Sequence, residues 1–445
     1  MPTVEQRELD ELDITTTERY VERGFPWREW DLLREFAPIY FYDRPGVPPN
    51  WVVTRYDDIK TVLSHDEVFS NAGPILRLTT EARLEGLARF KLRQAERWGW
   101  DPDEPLDMVF LDRPEHLDMR LLTMRKFTPA AMRRLEDHLA ELTRAFVAAF
   151  VAAAGQAAAD GGRWGDGSVN LVDALSISVP LAAITNLLGV PTSDWTDICR
   201  FTELAFPGTA RRYAQPGESD SDVRRRIGRE FKDYLDGLIA DRRRRGPDGG
   251  DDLATALVHA TIDDRPLTDQ QLHGYLQLLI GAGNETTRNA ITAGVHALLE
   301  HPGQRDRLVA DPDGLNQSAV DEILRWSSPV VQFARTARTD FELSGTTIRA
   351  GDTVTVWFPS ANRDERQFDD PYRFDIGRAP NFHLAFGHGE HFCLGANLAK
   401  WELRATFKEL APHLVNLEPA GALQRHADLH VPAIHEFRVR WTGDR

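Results

Sequence analysis

A mainly α fold is predicted, a helical body with small β-sheets on one side, and three observations predict it. Long runs place apolar residues three and four apart. Strand-like runs are few and short. The helical runs are separated by Gly- and Asp-rich turns rather than by linkers. In chain order, WVVTRY at 51–56 alternates as a strand. Residues 71–111 follow, about forty positions with patchy helical character and no clear strand, a length that usually carries function or disorder. Pro129 opens a long helical pattern through PAAMRRLEDHLAELTRAFVAAFVAAA, proline being favoured at a first helical position. Further helices are expected at 171–189, 221–244, 252–261, 268–300, 301–310, 317–327 and 395–412. Loops are expected at 159–168, 207–221 and 245–252, and strands at 333–338, 346–357 and 436–441.

The chain has 445 residues, 42% of them hydrophobic and 27% charged, enough for two or three modest domains or for one large one with a deep core and a cofactor, and composition alone does not choose. A net charge of −16 argues against broad binding to nucleic acid or anionic lipid. The acidic N-terminus MPTVEQRELDELD lacks the basic and apolar regions of a signal peptide, so a cytoplasmic protein is expected. The longest apolar run, AFVAAFVAAAG at 145–155, is well short of the roughly 20 residues needed to span a bilayer and is read as a buried helix. Only Cys199 and Cys393 are present, so no disulfide framework is expected.

Three motifs carry chemistry. HLAFGHGEHFCLGANLAKWEL, 383–403, holds Phe386, Gly387, Gly389, His391, Cys393 and Gly395 ahead of a helix. Glycines let the loop take positive φ and bring backbone amides near a sulfur, while the helix start favours a thiolate, so Cys393 is a candidate metal ligand. A zinc site of His388, His391 and Cys393 lacks the second spaced ligand pair usual for structural zinc, and a catalytic thiol with a histidine base stays open. LLIGAGNETTRNA, 278–290, puts Gly281 and Gly283 inside a helix, where each costs roughly 1 kcal/mol against alanine. Close approach of a flat cofactor supplies a reason. Thr286, turning its hydroxyl to the Ala282 carbonyl, would bend the helix and open a pocket, and the Glu285–Thr286 pair can deliver protons to a bound oxygen species. In DEILRW, Glu322 and Arg325 lie three apart on one helix face.

In this order, these motifs resemble the cytochrome P450 family of haem-thiolate monooxygenases, over essentially the whole chain. The resemblance implies one domain over 1–445, with its β-rich part near 36–70 and 333–380 plus a C-terminal hairpin. It implies haem b with Cys393 as axial ligand, Phe386 near the sulfur, and Ala282 and Gly395 against the cofactor. His116 and Arg120 in DRPEHLDMR, Arg335 and His391 would hold the propionates; Asp118 departs from the basic residue common among relatives. Glu322, Arg325 and Arg378 would buttress the cysteine loop. Glu285 and Thr286 would act in proton delivery. The implied reaction inserts one oxygen atom of O2 into a C–H bond of a hydrophobic sterol, terpenoid, fatty or polyketide-like substrate. Electrons would come from NAD(P)H through a separate ferredoxin and ferredoxin reductase docking near Arg125 and Lys126, to a monomeric enzyme. A peroxide-driven or rearranging haem-thiolate enzyme is the alternative. The 71–111 segment, the 207–221 loop, Leu278, Leu279, Ala282, Val330, Val331, Gln332, Phe333 and 432–434, with Ile434, are the expected pocket, and Cys199 an ordinary helix residue.

Overall fold

In the computed structural model, residue 9, residues 11–204 and residues 209–443 are described; the first two positions of the expected 207–221 loop lie outside them. Strands Ile39–Tyr42, Asn50–Val53, Thr353–Trp357, Gln332–Ala337 and Phe69–Ser70 form, in that spatial order, a five-stranded sheet. Tyr40 faces Val52, Trp51 runs parallel beside Val354, Thr355 faces Ala334, and Ser70 faces Thr336. A smaller sheet joins Leu417–Pro419, Arg438–Trp441 and Ser168–Asn170.

Helices make the rest of the body. Thr128 caps Pro129–Asp160, and Thr268 with Gln271 forms a reciprocal capping box at the start of Asp269–Glu300. The first half of the Asp269–Glu300 helix packs Leu272, Leu276 and Ile280 into one apolar cluster, and its second half packs Ile291, Val295 and Leu298 into another. Between these halves lies a polar belt in which Asn284, Glu285, Thr287, Arg288 and Asn289 are all buried. Such groups stay inside only when partnered or put to use. The stretch Leu135–Asp160 is 26 residues with mean hydropathy 1.4, long and apolar enough by composition to cross a membrane, and longer than the 145–155 run suggests. It packs along the Ala396–Leu410 helix and the C-terminal strand, burying Val147, Phe150 and Ala154.

Several expected boundaries move for local reasons. The strand expected at 51–56 ends at Val53, because Tyr56–Ser64 is a helix with Asp57 and Asp58 at its positive end. The β-rich part ends at Trp357, not near 380: Phe358–Ala361 is a helical turn, and the Asn-, Asp- and Pro-rich chain beyond it has no alternation to pair. The helix expected at 252–261 covers Leu253–Val258, since Asp263 and Asp264 adopt φ of 50° and 61° and turn a hairpin between Thr261–Ile262 and Arg265–Pro266. The 171–189 pattern divides into a π turn, Val172–Ser176, and the Ser178–Leu188 helix, with Pro180 in the first turn where its missing N–H is tolerated. Within 71–111 lies a regular helix, Glu81–Trp98, capped by Thr80 and closed by Gly99 at φ 69°. None of its residues is buried, so no apolar stripe announces it.

Candidate active site

The cysteine loop, the middle of the Asp269–Glu300 helix and the Gln332–Ala337 strand enclose a cavity with about 1480 Å³ of atom-free space, counted out to its mouth. Cys393 faces it. The Cys393 amide donates to the Phe386 carbonyl at 3.0 Å, closing the loop, and Gly387 and Gly389 sit at φ 72° and 71°. A Cβ on Gly389 would come within 2.0 Å of the Leu63 carbonyl, so that position accepts only glycine. The Cys393 sulfur is accessible to the cavity but enclosed by protein. Burial pushes its thiol up, opposed by the Gly395 amide and the Arg120 charge. Holding it as a thiolate there calls for a cation, the role a metal plays. Phe386, Gly395, Leu394 and Ala282 line the same space.

Cationic and donor groups gather at one end. Arg335 is 5% exposed, and among the described residues its guanidinium donates only to the Ala334 carbonyl at 2.8 Å. Burial pulls it down to about 10, with Asp112 the one opposing charge, itself bonded to Arg338 at 2.5 Å. His391 stacks on His116 at 3.9 Å. Burial drives the His391 ring to about 2, aided by the charge of His116, and lowers His116 against its 2.7 Å bond to Glu390. Arg120 donates to the Phe392 carbonyl at 2.7 Å. All four line the cavity. Among the described residues this is a buried arginine without a carboxylate partner beside two stacked imidazoles, a donor set lacking its anion. The paired carboxylates and flat apolar body of a haem fit it, with Cys393 on the same wall. Among the described residues no three His, Cys, Asp or Glu side chains converge as metal ligands, so the zinc reading of His388, His391 and Cys393 is not met; His388 lines the cavity instead.

In the long helix Thr286 donates to the Ala282 carbonyl at 3.0 Å and lines the cavity, while the helix continues unbroken to Glu300. Glu285 points the other way. It is buried, ion-paired with Arg288, and raised by burial against that arginine's pull. The glycines divide. Gly283 lines the cavity and would place a Cβ 3.2 Å from Ile184, so close helix packing also explains it, whereas Gly281 has open space around it and lies off the cavity wall.

Behind the loop, Arg325 donates to Glu322 at 2.7 and 2.8 Å, both side chains fully buried, and Arg378 joins the same carboxylate at 3.2 Å. Leu278, Leu279, Ala282, Val330 and Phe333 form apolar wall as expected. Val331 and Ile434 do not. Val331 is packed near Trp357 and Leu429 with its amide on the His430 carbonyl at 2.8 Å, and Ile434 is in the core with its amide on the Asn289 side-chain oxygen at 2.7 Å. Both extended segments turn those side chains from the cavity. Cys199 lies in the Trp195–Glu203 helix, where burial pushes its thiol up to about 12, an unreactive setting.

Several wall residues escaped sequence reading, among them Ile184, Leu324, Leu398 and one that can titrate. Glu402, on the helix after Cys393, is fully enclosed, lines the cavity, and is pushed by burial up to about 8, with Thr287 as its hydrogen-bonding neighbour. Its signal was an acid four residues from Leu398 and from Thr406 on the buried face of the helix.

The cytochrome P450 family model matches residues 217–410. A methyl-branched lipid omega-hydroxylase of Mycobacterium tuberculosis is 35% identical over 443 residues, covering 98% of this chain and 94% of that one. A steroid C26-monooxygenase of Rhodococcus jostii is 35% identical over 436 residues, covering 96% and 84%. A Mycobacterium marinum cytochrome P450 solved with pseudoionone superposes with a TM-score of 0.82 at 30% identity, covering 97% and 99%. With the thiol, the donor set and the buried Glu–Arg pair where a haem-thiolate centre needs them, the chain belongs to the cytochrome P450 family of haem-thiolate monooxygenases.

Proposed function

We propose that the protein, as one domain, hydroxylates a C–H bond of an elongated apolar lipid, a branched fatty chain or a sterol side chain. The observation that carries this is the cavity itself, Cys393 in one wall and Leu278, Leu279, Ala282, Val330 and Phe333 lining another part of it. The lipid and steroid activities of the relatives agree with those walls. Haem, when bound, supplies O2 binding and, with two electrons and two protons, the oxidising power.

The chain's own residues divide the remaining work. Cys393 would hold the haem iron through its sulfur, with Phe386 beside it in the same wall. His116, Arg120, Arg335 and His391 would hold the propionates as hydrogen-bond and charge partners. Glu322, Arg325 and Arg378 hold the loop rather than touch the reacting atoms. Thr286 turns its hydroxyl from the Ala282 carbonyl toward the cavity, and Glu285 behind it takes protons from solvent, its raised pKa and its pairing with Arg288 poising it to gain and release one. The presence of this pair supports O2-driven over peroxide-driven chemistry.

Holoenzyme is expected to give a red-shifted ferrous–CO Soret band that Cys393→Ser abolishes, and low-to-high-spin shifts with branched lipids and sterols. Turnover driven by peroxide but never by a ferredoxin system would overturn the O2 reading.

Electrons come from a separate ferredoxin docking on the face near Arg125. Arg125 is exposed beside exposed Leu121 and Met124, whereas Lys126 is held by Asp251, its Nζ 2.7 Å from that carbonyl. Arg125→Glu is therefore expected to slow haem reduction by a ferredoxin about tenfold, with the loss shrinking at high salt, and Lys126→Glu to slow it less. Stopped-flow reduction of both variants decides this, and equal wild-type rates would exclude the site.

A further inference from the structure

Three side chains that neither line the substrate wall nor join the Glu322 buttress meet at one point beside the cysteine loop. Lys400 lies two helical turns beyond Cys393 in the Ala396–Leu410 helix, Asp321 precedes Glu322 in the Asn316–Ser327 helix, and His383 stands at the start of the loop itself. The Asp321 carboxylate pairs with the Lys400 ammonium at 2.7 Å and faces the His383 Nε2 at 3.6 Å. The His383 Nδ1 accepts the Ala385 amide at 3.2 Å, which puts the ring proton on Nε2, toward Asp321. Burial also pulls that ring below its usual pKa. Lys400 and Asp321 are then the two charges of the cluster.

The cluster stands behind Phe386. The Lys400 Nζ lies over the Phe386 ring, 5.8 Å from its centroid, and the His383 ring is 5.9 Å from the same ring. The Phe386 carbonyl in turn accepts the Cys393 amide at 3.0 Å, and both residues line the cavity. Lys400 is 29% exposed and Asp321 19%, so water screens the pair only in part. Charges one aromatic ring away, in a medium poorer than water, act on the cysteine side of the site. Reduction of a haem held by Cys393 forms no bond and breaks none. It takes one electron from the ferredoxin and adds one negative charge, which a nearby cation favours and a nearby anion opposes.

We propose that Lys400 sets the reduction potential of the bound haem: its ammonium, held over Phe386 by Asp321, offsets that carboxylate and keeps the centre reducible by the ferredoxin. Lys400 is a tuning residue, acting through the ring and the sulfur without touching the reacting atoms. This rests on Cys393 holding the iron.

The test is an equilibrium redox titration of the holoenzyme with dithionite and small dyes, which keeps ferredoxin docking out of the measurement, with a ferrous–CO spectrum of each sample. Lys400→Met removes the charge and keeps the stem, and is expected to lower the reduction equilibrium constant about tenfold, about 59 mV for one electron. Lys400→Gln should repeat the fall, and Lys400→Arg should stay close to wild type. Asp321→Asn should raise the constant, and the Lys400→Met, Asp321→Asn pair should return toward wild type. Loss of loop shape alone would move both single variants the same way or cost the red-shifted CO band, so opposite shifts with the band intact separate tuning from structure. An unchanged potential in Lys400→Met, an equal fall in Lys400→Arg, or a fall in Asp321→Asn overturns the tuning while Cys393 keeps its role. A wild-type holoenzyme without the red-shifted band removes the ligand reading and the tuning with it.

Discussion

Glu322→Ala is expected to yield a protein that retains little haem and is destabilised by about 3–5 kcal/mol, the cost of removing one partner from a buried ion pair. The carboxylate is fully buried and serves five donors: Nε and Nη2 of Arg325, the Arg378 Nε, the Asn381 side chain at 3.1 Å and the Asp375 amide at 2.9 Å. Without it two guanidinium groups and two amides lose their shared acceptor in a place that water does not reach. The damage travels to the cysteine loop by named bonds. Arg325 also donates to the Asn362 carbonyl at 2.7 Å, and the Asn362 side chain accepts the Leu384 amide at 2.7 Å, at the start of the loop that ends in Cys393. Glu322→Gln keeps the shape and some acceptor capacity but loses the charge, and should fall between. Denaturant midpoints and haem-to-protein ratios of the three proteins decide it; Glu322→Ala with a wild-type midpoint and full haem would show that Asn362 and the loop hold without the pair.

The cysteine loop was legible in the sequence because its parts are contiguous: two glycines with positive φ, the thiol and the helix start all fall within ten residues. The donor set for the haem carboxylates was not, since His116, Arg335 and His391 meet only through the packing of a helix, a strand and a loop distant in sequence. Family resemblance supplied that register. Arg363 shows a different limit. In ANRDERQ it reads as one more surface charge, yet it is 1% exposed, lies 4.3 Å over the Trp326 ring and 4.8 Å over Trp27, and donates to the Arg325 carbonyl at 3.0 Å. Composition cannot distinguish a solvated arginine from one stacked between rings. Val331 and Ile434 failed for the opposite reason: apolar residues next to a cavity wall satisfy the same pattern whether they face the cavity or the core.

Glu402→Gln is expected to stabilise the protein near neutral pH and to flatten its stability between pH 4.5 and 8, because the wild-type carboxyl must keep a proton to stay where it is. Burial raises it from 4.5 to about 8, Thr287 pulls weakly the other way, and no nearby charge offsets the desolvation. The native state therefore holds a proton that the unfolded chain releases above pH 4.5, so stability is highest at or below that pH and falls as pH rises toward 8. The slope approaches about 1.4 kcal/mol per pH unit, which makes the penalty roughly 3 kcal/mol at pH 7. Glutamine has the same shape and nothing to titrate. The variant and wild type should thus have similar denaturant midpoints at pH 4.5 and diverge steadily above it, the variant being the more stable. A wild-type midpoint that does not fall relative to the variant over this range would mean that Glu402 is ionised in the folded protein, held by a cation at its unpartnered Oε2.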